Sequence, residues 1–215
     1  SPTCSPTRSA LMTGRHPLKN GITHTILERE RMALKATILP QVLKKAGYTS
    51  GIFGKWHLGD NYPMRPSDQG FEYSFIHKGG GLGQPSEPIE NNQRYTDPIL
   101  FRNNSEVATK GYCTDLYFDE AIKFINISVT AKRPFFAYIA TNAPHGPFGD
   151  VPEKLLEYYK TKDIASILPE GQRDNTKQLD KVARIAAMIT NIDQNVGKLV
   201  SLLDTNKLLE NTIII

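Results

Sequence analysis

The sequence predicts an α/β fold: a largely parallel sheet flanked by helices. Short apolar runs at 48–53 and 134–140 have the length of buried strands, and apolar residues elsewhere recur at three- and four-residue intervals. Gly, Pro and Asn clusters separate the two kinds of segment. Strands alternating with helices require crossover connections, which favour parallel pairing and gather ligands at the carboxyl ends of the strands.

The first segment reads as a loop feeding a helix, with Ser5 as cap, Pro6 in the first turn and Gly14 as the left-handed residue past its end. Cys4 then lies immediately before a helix N-terminus. A second helix is expected from Thr37 as cap through Leu39, Val42 and Leu43 to Gly47, followed by a strand over 48–53 that Gly54 ends. From Asn61 to Lys110 the Pro, Gly, Asn and Ser signals read as one long loop or insertion, with Gly79-Gly80-Gly81-Leu82-Gly83 as flexible linker. Helical spacing returns over 114–127 through Phe118, Ala121, Ile122 and Ile125, ahead of the strand over 134–140. Cys113, just before this helix, reads as inert core. Leu179, Val182, Ile185, Ile189, Ile192, Val196, Leu199 and Leu203 mark a long amphipathic helix, and Thr212 to Ile215 begins another strand. A chain that opens on one polar loop and closes inside a strand reads as a piece of a domain, incomplete at both ends.

Composition narrows the class. The 26 basic and 22 acidic residues are spread along the chain without a Lys/Arg stripe, so no nucleic-acid partner is expected and the net charge of +4 implies only mild attraction to anions. No run approaches the roughly 20 apolar residues of a membrane span, and the residues from Ser1 onward do not read as a charged, then apolar, then small-residue leader, which leaves open what precedes them. Two cysteines make neither a disulfide scaffold nor a zinc site.

Three polar clusters fall where the architecture places a site: Cys4 to Arg8 at a helix start, Lys55 and His57 after one strand, and His145 after another. Backbone N–H groups and the helix dipole favour an anion near Cys4 and lower a thiol pKa there, and Arg8 adds a planar fork of donors for an oxyanion. Lys55 and His57 share one side of an extended segment, setting a cation beside a proton carrier. Pro144 and Pro147 stiffen the loop that holds His145. Taken singly, each has a plainer reading: a small buried thiol, a solvated lysine, a packed histidine, a turn residue.

The joint context resolves the choice. Cys4-Ser5-Pro6-Thr7-Arg8, followed by Thr13-Gly14, resembles the Cys-x-Pro-x-Arg signature of the type I, formylglycine-dependent sulfatases. Gly47-Tyr48-Thr49-Ser50-Gly51-Ile52-Phe53-Gly54-Lys55-Trp56-His57-Leu58-Gly59 is similar to the second signature of that family. Asn142-Ala143-Pro144-His145-Gly146-Pro147 and Gly111-Tyr112-Cys113-Thr114-Asp115 resemble two further segments, in the family's order. The resemblance implies an alkaline-phosphatase-like fold, with residues 1–215 forming part of a sulfatase catalytic domain.

It also implies a mechanism. A maturation enzyme reading Cys4, Pro6 and Arg8 converts Cys4 to formylglycine, whose hydrate takes the sulfuryl group from a sulfate monoester and then releases sulfate. By the same resemblance Arg8 orients the hydrate, Lys55 binds hydrate and sulfate oxygens, His57 takes a proton during release, and His145 contacts sulfate and the leaving group. The family's calcium ion (Ca2+) would meet residue 4, and export to periplasm, lysosome or cell exterior is implied. The family's upstream Asp-Asp pair, and its downstream Asp-Asn or Asp-His pair and lysine, have no counterpart in this chain, so the 215-residue species is expected to bind calcium poorly and turn over little. Aryl and carbohydrate sulfates both suit the motifs. Alternatives are a phosphate or phosphonate ester hydrolase of the same superfamily, a cysteine hydrolase using the Cys4 thiolate, and an inactive binding scaffold.

Overall fold

The computed structural model describes residues 2–215, arranged around one five-stranded sheet of order β4-β3-β2-β1-β5. Strand β1 (Thr49–Lys55) is buried along its whole length, with β2 (Tyr73–His77) and β5 (Phe135–Ala140) parallel on either side. Strands β3 (Ile99–Arg102) and β4 (Ser105–Ala108) extend the β2 side as an antiparallel hairpin. The sheet is thus parallel at its centre and antiparallel at one margin.

Alternation along the central strands sends side chains to two cores. Phe53 and Phe75 face a cluster with Tyr95, Tyr117, Ile125, Met188 and Leu203, beneath α3 (Cys113–Thr130) and α5 (Thr176–Thr205). Their neighbours Ile52 and Ile76 face the opposite cluster with Met12, Ile22, Met32, Ile38, Trp56 and Phe71, beneath α1 (Cys4–Thr13) and α2 (Leu39–Lys44). A third, small cluster joins α4 (Glu153–Lys160) to α5 through Leu156, Ala183 and Ala187. Helices on both faces of a partly parallel sheet are what the alternating pattern implied.

Several expectations are corrected. The segment 61–110 is not a single loop: it supplies β2, β3 and β4, and β2 is hidden in sequence because its apolar run is short and set among turn formers. Asn103 and Asn104, both at positive φ between the paired Arg102 and Ser105, make the tight two-residue turn of the β3–β4 hairpin. Gly54 does not end β1. Its φ of +112° lets β1 run on to Lys55, and a Cβ there would lie 2.2 Å from the Ala140 carbonyl oxygen of β5.

Helix starts also move. Thr3 rather than Ser5 precedes α1, making Cys4 its first residue and Ser5 a buried helical residue. Ile38 rather than Thr37 precedes α2, where the Gln41 side chain accepts from its N–H at 3.2 Å. Tyr112 precedes α3, so Cys113 is helical and fully buried, and burial pushes its thiol pKa upward, as suits inert core. Strand β5 is half-buried because it lies at the sheet margin. On α5 the buried face runs through Ala183, Ala187, Met188, Asn191 and Asn195, while Ile189 and Val196 are exposed. Asp115 of α3 accepts from the Asn191 and Asn195 amides at 2.9 and 2.6 Å, which allows polar residues on that face. Residues 212–215 have no sheet partner among the described residues.

Candidate active site

The parallel pairing of β1 with β5 brings their carboxyl ends to one edge, so Lys55 and the loop after Ala140 meet there. Helix α1 is fastened to the same edge. The Arg8 guanidinium donates to the Lys55 carbonyl at 2.7 Å and reaches the Tyr138 hydroxyl at 3.5 Å. Behind it, the Asn20 amide donates to the hydroxyl oxygens of Ser9 and Thr13, both at 2.8 Å, tying the helix to the turn at Pro17–Asn20. Gly14 at φ +65° closes α1 by donating to the Ala10 carbonyl. These contacts set the N-terminus of α1, and Cys4 with it, over the ends of β1 and β5.

Cys4 is half-buried and, as a thiolate, accepts hydrogen bonds from His145, His57 and Lys55. These donors, His145 foremost, outweigh the opposing effect of burial and bring its pKa down to about 4. An anion at residue 4 is therefore the state this pocket favours. The thiolate in turn raises the His145 pKa. The His145 Nδ1 lies 2.6 Å from the Gly146 carbonyl, an acceptor only, so Nδ1 carries hydrogen and Nε2 is left as the exchanging nitrogen. Tyr95 secures this loop by donating to the carbonyls of His145 and Gly146 at 3.1 and 2.7 Å.

Lys55 is 2% exposed, and burial lowers its pKa, with the nearby Arg8 charge adding to the effect. Its Nζ donates to the Gly80 carbonyl at 2.6 Å. His57 follows at φ +58°, outside an extended conformation, so it does not share a strand face with Lys55 as the spacing suggested. Both side chains nevertheless converge on Cys4. Burial also lowers the Arg8 pKa, while the Cys4 charge opposes that. Cys4, Arg8, Lys55, His57 and His145, far apart in the chain, thus form one cluster.

Residues that the sequence did not single out complete it. Gly79, Gly80 and Gly81 are buried rather than flexible: a Cβ on Gly80 would come 2.8 Å from His57 Cε1, so only glycine lets the chain pass that close. His77, opposite Lys55 in the β1–β2 register, is fully buried with Nδ1 3.1 Å from the Tyr117 hydroxyl, and burial among the cations lowers its pKa well below the usual histidine range. A lone histidine at a strand end offers no sequence signal. A cleft of about 320 Å3 between α4 and α5, lined by Tyr159, Lys162, Ile164 and Leu179 among others, contains none of the clustered groups.

The cluster suits an anion and not a cation. Among the described residues no three His, Cys, Asp or Glu side chains come together to hold a metal, and Arg8, Lys55 and His145 surround residue 4 with positive charge. The donors present do not fit a calcium ion, which takes six to eight oxygen ligands. No helix among the described residues is long and apolar enough to cross a membrane.

Comparison with known proteins agrees with this geometry. The family model described as Sulfatase matches residues 1–215. N-acetylgalactosamine-6-sulfatase of Canis lupus familiaris is 30% identical over 238 residues, covering all of this chain and 40% of that protein. Human (Homo sapiens) arylsulfatase G is 35% identical over 171 residues, covering 67% of this chain and 33% of its own length. The crystal structure of Ps i-CgsB in complex with k-i-k-neocarrahexaose superposes with a TM-score of 0.73 at 28% identity, covering 96% of this chain and 46% of that one. The chain spans about 40% of the length of the N-acetylgalactosamine-6-sulfatase it matches. With the family model matching its whole length and both signatures meeting at one cluster, this chain belongs to the sulfatase family.

Proposed function

We propose that the whole protein is a sulfuric ester hydrolase that cleaves aryl or carbohydrate sulfate monoesters at residue 4. The arrangement that supports this best is the convergence of Lys55, His57 and His145 on the Cys4 side chain, where each favours negative charge. Formylglycine formed from Cys4 would supply, as its hydrate, one hydroxyl to take the sulfuryl group from the ester oxygen and a second to restore the aldehyde as sulfate leaves. The first helical turn and Cys4-x-Pro6-x-Arg8 pattern fit that modification, since half-buried Cys4 stays within reach of solvent.

The chain's own residues supply the rest. Lys55 holds negative charge on the attacking and transferred oxygens from a fixed position on the Gly80 carbonyl. Arg8 adds a second fixed charge and, through the Lys55 carbonyl, holds the helix to the strand. His145, its Nδ1–H occupied by Gly146, presents Nε2 to protonate the departing alcohol, and His57 accepts the proton of the second hydroxyl. The calcium ion implied by the family resemblance has no donor set among the described residues, and no step here runs through it. Processing by a formylglycine-generating enzyme and export from the cytoplasm belong to the same reading.

One observation favours a second reading. A thiolate at Cys4 paired with the raised imidazole of His145 is also the pairing of a cysteine hydrolase. Mass spectrometry of the Cys4 peptide from the full-length protein, coexpressed with a maturation enzyme, separates the two, because formylglycine is lighter than cysteine and resists alkylation. Rates on an aryl sulfate and the matching aryl phosphate are then compared in that protein. Conversion at residue 4 with preference for sulfate is the expected result. An unmodified cysteine in an enzyme that cleaves other esters would assign the site to the second reading, and preference for phosphate would overturn the sulfatase assignment.

A further inference from the structure

The carboxylate of Glu87 lies outside the cluster but grips the strip of backbone that the cluster rests on. The Gly79 N–H donates to Glu87 Oε1 at 2.7 Å, and the Lys78 N–H favours the same negative charge. On its other side this strip meets the site directly. The Lys78 carbonyl accepts from the His57 N–H at 2.9 Å, and the Gly80 carbonyl accepts from Lys55 Nζ at 2.6 Å. Gly80 is packed so closely on the His57 ring that a Cβ would come 2.8 Å from Cε1. Residues 78–80 are therefore a shim, held from behind by Glu87 and bearing on both His57 and Lys55.

We propose that Glu87 is a positioning residue: its Oε1, by accepting from the Gly79 N–H, holds the 78–80 backbone where Lys55 and His57 converge on residue 4. A carboxylate here is not what stability alone would select. Burial raises the Glu87 pKa to about 7, nearby Asp60 adds to the rise, Lys78 opposes it, and Oε2 is buried without a partner. Tyr117 packs close enough to feel the same charge. A side chain that is costly to ionise, yet anchors a glycine strip against two site residues, has a role in geometry.

The inference rests on reading Cys4, Lys55 and His57 as one centre, but its test does not require sulfatase activity. In the 215-residue chain with Cys4 unmodified, the rate of Cys4 alkylation by iodoacetamide against pH reports the Lys55 and His57 hydrogen bonds, since both lower its pKa. Glu87→Ala, which removes the acceptor, and Glu87→Asp, which keeps a carboxyl oxygen but shortens its reach, are each expected to lower the Cys4 ionisation constant about tenfold, the effect of one charge-assisted hydrogen bond to the thiolate. Glu87→Gln retains an acceptor for Gly79 and restores most of the wild-type profile. A profile unchanged in Glu87→Asp, with circular dichroism showing a folded protein, would overturn the proposal, as would a Glu87→Gln profile as displaced as that of Glu87→Ala. Should Glu87→Ala not fold, the Asp and Gln variants decide. Loss of sulfatase turnover in the full-length protein with an unmoved Cys4 profile counts against Glu87 alone and leaves the function of the site standing.

Discussion

Replacing His145 by alanine tests the electrostatic heart of the site. His145 is the leading cause of the fall in the Cys4 pKa from 9.0 to about 4. His57 and Lys55 supply the other hydrogen bonds and burial opposes all three. Deleting one hydrogen bond from a charged donor costs about 1.5–3 kcal/mol, so the ionisation constant of Cys4 should fall roughly 10- to 100-fold in His145→Ala. The assay is alkylation of the unmodified chain from pH 3 to 9, followed by peptide mass spectrometry to separate Cys4 from buried Cys113. At pH 6 an ordinary thiol is ionised in about one molecule in a thousand, whereas wild-type Cys4 should be almost wholly thiolate. Its rate should therefore be flat across pH 6–9, though lower at the plateau than that of a more basic thiolate. A wild-type profile that climbs only near pH 9, or a folded His145→Ala protein with the wild-type midpoint, would refute the argument. The same ionisation is linked to stability. The folded pKa lies below the unfolded one, so the contribution is complete above about pH 9 and is lost as pH falls toward 4.

Two further outcomes follow from the frame around the site. Gly54→Ala forces a side chain into the 2.2 Å gap against the Ala140 carbonyl at φ +112°, and should cost at least about 3 kcal/mol. For a chain of this size that is a melting temperature roughly 6–12 °C lower, read by circular dichroism, and a variant that melts with the wild type would sink the close-approach argument. Glu87 titrates the opposite way from Cys4: its folded pKa of about 7 exceeds the ordinary 4.5, so stability falls by up to about 3 kcal/mol as pH rises from 4.5 through 7. Glu87→Gln should remove that slope from the denaturant midpoint, and a slope equal to the wild type's would show that the carboxyl is not held in a costly environment.

Cys4, Arg8, Lys55, His57 and His145 were legible in the sequence as candidates because the motifs that hold them resemble one family's signatures in order; local pattern alone left each with a plainer reading. The helices at 113–130 and 176–205 were legible from spacing, although the buried face of the second turned out to run through Asn191 and Asn195. That detail depends on Asp115, a partner 76 and 80 residues away. The same holds for β2. Its Tyr73–His77 run is too short to stand out, and it is a strand because β1 lies beside it with every residue buried.

The sequence by itself determined the α/β character, the residues proposed for the site and the family to which the motifs point, since periodicity and local signatures need no knowledge of distant neighbours. Only the tertiary structure decided that the segment 61–110 builds three strands of the sheet, and that its glycines are packing surfaces rather than linker. It alone showed Gly80, His77 and Glu87 standing behind Lys55 and His57. The physical reason is that hydrogen bonds to backbone carbonyls and amides leave no mark in side-chain identity, and the closeness a glycine permits depends on what the fold brings against it.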